Sequence, residues 1–115
     1  MNGEKRLERI QLKFYLRVFD RNTDRVVGEL ADITTKGIRL VSKDPFQVDV
    51  ISEFWMELPS EINEFDQIVF DAKSAWCKKD DDTHLFSTGF QLQNVDQENI
   101  DKITQLIDKG GVPDK

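Results

Sequence analysis

Two short polar stretches carry the residue types from which a ligand site can be built. EKRLERI (4–10) sets Lys5 and Arg9 four residues apart, with Arg6 between them. Arginine offers a planar fork that fits phosphate oxygens or the O6/N7 edge of guanine, and the same plane stacks on a base. DITTKG (32–37) supplies Asp32, an acceptor suited to the N–H groups on the Watson–Crick edge of guanine. It also supplies the Thr34 hydroxyl and Gly37, where backbone can come close or take φ > 0. Each stretch has a plainer reading beside the functional one. The first is then a charged leader without a partner. The second is then a hairpin turn that Asp initiates, Thr caps and Gly closes.

Other chemistries find few groups in this chain. His84 is the only histidine and falls in a hairpin tip, so no Ser/His/Asp set forms, and neither a Walker loop nor GxGxxG is present. A zinc site needs about four Cys- or His-type ligands, against one of each here. Asp80, Asp81 and Asp82 with His84 can be read as a loose cation site, but a solvated acidic turn is the simpler account. Glu61 and Glu64 lie in a polar loop with no partner. The sequence points away from an enzyme, a cofactor or a metal.

These stretches sit in a chain of 115 residues, the size of one compact domain. At 38% hydrophobic, with two Trp and eight Phe, it can fill a modest core. The single cysteine, Cys77, cannot form an internal disulfide and suits a reducing cytoplasm. MNGEKRLERI has no apolar run behind it, so no signal peptide is expected. No segment approaches the ~20 apolar residues of a membrane span, so action at a membrane would pass through a partner. Residues 1–25 hold seven basic and four acidic side chains, a net of +3; the total of −6 therefore leaves −9 on the remainder. A basic end on an acidic body suits a small anionic ligand better than DNA or RNA, which the body repels.

Periodicity supplies the elements that must hold the two stretches. QLKFYLRVF (11–19) alternates, with Leu12, Phe14, Leu16 and Val18 on one face. Residues 25–33, 37–42, 48–58, 67–78 and 85–93 read as five further strands, with Gly28 a possible bulge or close-approach point. DRNTD (20–24) and KKDDDTH (78–84) are turns. Over 95–111, Ile100, Ile103, Leu106 and Ile107 follow helical spacing behind an Asp96 N-cap and a Val95–Ile100 staple, and Gly110–Gly111 with Pro113 stop the helix. Six antiparallel strands and a terminal helix predict a small, mainly β barrel.

Taken in order, the spaced basic leader, the D-x-[S/T]-x-x-G stretch about 23 residues later, the strand ending SAW (74–76), the returning TGFQL (88–92) and the helix opening VDQEN (95–99) resemble the PilZ domain family. The resemblance covers residues 4 to 109. It implies a six-stranded antiparallel barrel with one C-terminal helix over 11–111, preceded by a flexible basic leader, 1–10. It also implies binding of the bacterial second messenger cyclic di-GMP, without catalysis, in a cytoplasmic protein that is a monomer or weak dimer. Arg9 matches the second arginine of the family signature RxxxR; Asp32, Thr34 and Gly37 match its [D/N]xSxxG; Trp76 matches a position where an aromatic can lie beside the ligand. Trp76 reads equally well as barrel-wall packing. Lys5 stands where the signature has arginine and keeps the charge without the planar fork; Arg6 is adjacent. Thr34 keeps the hydroxyl of the family serine. The signal would pass to a protein partner, in motility, type IV pilus, exopolysaccharide or biofilm control. The alternative is a protein-interaction adaptor on the same barrel that does not bind cyclic di-GMP. A third reading, a small barrel for RNA or single-stranded DNA, is opposed by the acidic body and would show steep salt dependence.

Overall fold

A computed structural model of the chain describes the backbone of residues 10–12, 16–59 and 66–113, with side chains described for 16–59 and 66–109. The alternating segments become strands: β1 Ile10–Leu12, β2 Arg17–Asp20, β3 Val26–Ile33, β4 Gly37–Ser42, β5 Ile51–Glu57, β6 Gln67–Lys79 and β7 Phe86–Gln93. Helix α1 (Gln97–Gly110) and a short strand β8 (Gly111–Pro113) follow. The order β2-β5-β6-β7-β4-β3 closes on itself because β2 also pairs with β3. Six antiparallel strands thus form a barrel with no free edge around its circumference. Strands β1 and β8 extend the sheet beyond β3.

Outside their bulges these strands alternate, sending apolar residues inward. Val18, Leu40, Phe54, Met56, Ile68 and Phe70 are at most 2% exposed. Phe54 meets Phe70 and Phe90 edge-on at centroid distances of 5.9 and 5.4 Å, the geometry that aromatic quadrupoles favour. Helix α1 turns Ile103 and Leu106 fully into this core. Asp96 caps it by accepting the Asn99 N–H at 2.9 Å. The helix is pinned to the sheet by Asn99 Oδ1, which accepts the Val69 N–H at 2.9 Å, and by Lys102 Nζ, which reaches the Gln67 carbonyl and the Asp66 carboxylate, each at 2.9 Å.

The structure departs from the strand pattern in a few places. Segment 11–19 is described as β1 and β2, with 13–15, including Phe14, outside the described residues; both strands lie along β3. The strand expected at 48–58 begins only at Ile51, because Asp49 takes a left-handed conformation (φ 68°) and its N–H bonds the Ser74 carbonyl at 2.8 Å. Residues 111–113 do more than end the helix: Gly111, Val112 and Pro113 pair with Leu12, Gln11 and Ile10 of β1. A three-residue strand carries no alternation to read, and Pro at a sheet edge is tolerated because its missing N–H is not needed there. Gly28 fills both roles open to it: the β2–β3 register skips Val27 beside it, and a Cβ there would lie 3.0 Å from the Val41 carbonyl oxygen.

The two hairpin tips share one construction. In each, an Asp carboxylate (Asp20, Asp80) accepts the N–H groups two and three residues on, and a Thr hydroxyl (Thr23, Thr83) accepts the next free N–H. Asp24 and His84 then take positive φ in equivalent places. The acidic tip at 80–84 is therefore explained by turn chemistry.

Candidate functional site

Strand register sets four residues in one row across the barrel wall. Asp32 of β3 lies opposite Arg39 of β4, Arg39 opposite Gly89 of β7, and Gly89 opposite Trp76 of β6. Two bulges make this row. Between Leu30 and Asp32 the β3 register skips Ala31, and between Ser74 and Trp76 the β6 register skips Ala75. Leu30 and Ser74 point inward, 7% and 1% exposed. In a regular register, with Ala31 and Ala75 each occupying a ladder position, Asp32 and Trp76 would share the parity of Leu30 and Ser74 and face the core. With the two alanines skipped, both face outward, the re-aiming that bulges impose.

At the end of the row, Thr34–Gly37 closes the β3–β4 hairpin. The Thr34 hydroxyl accepts the N–H groups of Lys36 and Gly37, each at 3.1 Å, and the Thr34 N–H donates to the Gly37 carbonyl at 2.8 Å. Threonine here holds the turn that presents Asp32. A Cβ on Gly37 would lie 2.7 Å from the Phe90 carbonyl oxygen. Its φ is not positive, so of the two roles open to this glycine, close approach is the one realised.

Arg39 Nε donates to both Asp32 carboxylate oxygens at 3.1–3.2 Å, and Nη1 donates to Ser87 Oγ at 3.0 Å. The pair is partly shielded, with Asp32 19% and Arg39 29% exposed. A guanidinium held in this way keeps the carboxylate oriented outward. Trp76, at 44% exposed, lies across Gly89 and borders an open depression of about 540 Å³ that Arg39, Ser87, Lys78 and the acidic tip also line. The other tryptophan has a structural place: Trp55 stacks on Phe19 at 4.3 Å and donates to Asp24 at 3.2 Å.

Asp32, Thr34, Gly37 and Trp76 are thus brought to one wall. Lys5, Arg6 and Arg9 lie outside the described residues. The segment they precede is placed, however: Gln11 of β1 is the register partner of Asp32. Arg39, Ser87 and Gly89 were not singled out by the sequence reading. The alternation in GIRLVS was the available signal for Arg39, since it sets this residue outward between buried Ile38 and Leu40.

A family model described as the PilZ domain matches residues 4–109. The chain belongs to the PilZ domain family. PilZ domains are binding and effector domains of the cyclic di-GMP type rather than enzymes. Among solved structures, this PilZ domain is similar to the Bacillus subtilis inhibitor of motility, MotI/DgrA, with a TM-score of 0.75 and 17% identity. That match covers 92% of this chain and 51% of the other, so the chain spans about half of that protein's length. It is also similar to the PilZ domain of YcgR from Escherichia coli, solved with c-di-GMP, with a TM-score of 0.66, 13% identity, and 91% and 89% of the two chains covered. At these identities the likeness is one of fold. No curated protein matches the chain. Among the described residues no helix is long and apolar enough to cross a membrane.

Proposed function

We propose that this PilZ domain binds cyclic di-GMP on the wall formed by β3, β4, β7 and β6 and passes the signal to a protein partner. The observation that carries the reading is the double bulge, which turns Asp32 and Trp76 outward onto one row. A buried core gains nothing from either bulge, whereas a ligand gains an acceptor and a ring. Asp32 accepts the N–H groups of a guanine edge, Trp76 lies beside a base, and Thr34 and Gly37 set the turn. The leader completes the site. Arg9 is two residues upstream of Gln11, a chain length of at most about 7 Å, and Gln11 faces Asp32. In this reading Arg9 grips a phosphate or base, with Lys5 and Arg6 adding charge. No cofactor or metal enters this reading. MotI/DgrA is named an inhibitor of motility, which favours motility among the outputs, ahead of pilus, exopolysaccharide or biofilm control.

Isothermal titration at physiological salt tests the reading, with GTP as control and Arg9→Ala beside the native chain. Saturable heat with cyclic di-GMP that Arg9→Ala removes supports the sensor. A flat titration at high ligand rejects it in favour of the adaptor. One observation favours that second reading: Asp32 is already engaged by Arg39, so this wall is stable as it stands.

A further inference from the structure

We infer that Gly89 is a positioning residue for ligand binding, acting through Trp76 by leaving the space in which the indole ring settles against the barrel. The inference rests on the cyclic di-GMP reading and adds a residue to that site. A Cβ built on Gly89 would lie 2.3, 2.5 and 2.8 Å from Nε1, Cε2 and Cζ2 of Trp76. These contacts are far inside van der Waals distance, and they involve a ring, which cannot bend away. Trp76 therefore occupies the space of the side chain that Gly89 lacks. Less than half of Trp76 is exposed, and it makes no hydrogen bond among the described residues.

The arrangement has a purely structural use, because an aromatic residue across the ladder can cover a strand glycine. Two further observations give it a direction. The bulge at Ala75 is what turns Trp76 outward onto Gly89, since the unbulged register would send it toward the core. On the far side of Gly89 in the same row stands Arg39, which holds Asp32. A ring set down at this place shares a depression with Arg39, whose guanidinium holds the carboxylate. A planar base whose edge meets Asp32 then has the Trp76 ring beside it. Any residue larger than glycine at 89 pushes the indole off the wall and out of line with Asp32.

The test is a double-mutant cycle on cyclic di-GMP affinity in the full chain, using Gly89→Ala, Trp76→Ala and the two combined. A second readout is ligand quenching of Trp76 fluorescence in a Trp55→Phe background. Thermal unfolding of each variant shows that the barrel is intact; the double variant removes the clash and so checks the fold at position 89 independently. Base–aromatic stacking corresponds to a loss of roughly ten- to a hundredfold in affinity on truncation. The expected result is a loss of this size for Gly89→Ala and for Trp76→Ala, no further loss in the double variant, and loss of the quenching in Gly89→Ala. Equal losses from Gly89→Ala with and without Trp76, or no loss at all, overturn the role of Gly89 while leaving the cyclic di-GMP reading intact. Absence of binding by the native chain overturns both.

Discussion

A methyl group at position 37 has nowhere to go. The Phe90 carbonyl oxygen lies 2.7 Å from where the Cβ of Gly37→Ala would sit, and a strand backbone in a closed ladder yields little. Gly37→Ala should destabilise the barrel by about 1–3 kcal/mol, the usual cost of forcing extra volume into packed structure, and urea unfolding will show it as a lower midpoint. At this scale the turn of the candidate site was legible. The spacing D-x-T-x-x-G named the turn and its acceptor, because a turn's residue types follow local backbone needs. Arg39 and Gly89 were less visible. Their importance comes from partners 7 and 13 residues away, Asp32 and Trp76, which only strand pairing brings close. The bulges were invisible for the same reason. LAD and SAW each contain one residue too many for the ladder, and that excess exists only relative to the opposing strand.

At the scale of elements, helix α1 is held by charges that titrate. The Asp66 carboxyl is lowered below its ordinary value of 3.8, first by the hydrogen bond from Lys102 and then by that from the Gln67 N–H. Asp96 is lowered as well, by the Asn99 backbone N–H and then its side chain. A carboxylate whose folded value is depressed stabilises the fold above its unfolded value and loses that contribution as pH falls through the folded one. Helix docking should therefore weaken below about pH 3.8 and be unaffected between there and neutrality. Lys102 is raised, chiefly by Asp66, so its share is complete below its ordinary 10.5 and fades only as pH climbs past that value. An acid titration followed by far-UV circular dichroism checks this, and in Asp96→Asn the cap's part of the acid transition should disappear. The helix and its cap were readable from sequence because capping is local. The pairing of β8 with β1 was not, since neither strand is long enough to show a period.

For the whole molecule, two places among the described residues compare as seats for a ligand. One is the wall of Asp32, Arg39, Gly89 and Trp76. The other is a groove of about 770 Å³ lined by Val27, Gly28, Ser42, Phe46 and Leu85, toward the end of the barrel that carries the two Asp–Thr hairpin tips. Strand β1, which follows the Lys5–Arg9 stretch in sequence, joins the sheet beside Asp32 at the first. Six alternating segments made the barrel predictable, whereas its strand order follows from closure, a property of the complete chain. The two places can be told apart in one experiment: amide and indole chemical shifts of the ¹⁵N-labelled full chain recorded during titration with cyclic di-GMP. The account predicts shifts at Asp32, Thr34, Gly37, Gly89 and the Trp76 indole, with Val27, Ser42 and Leu85 unmoved. Shifts centred on the Val27–Leu85 groove, or none at saturating ligand, would contradict it.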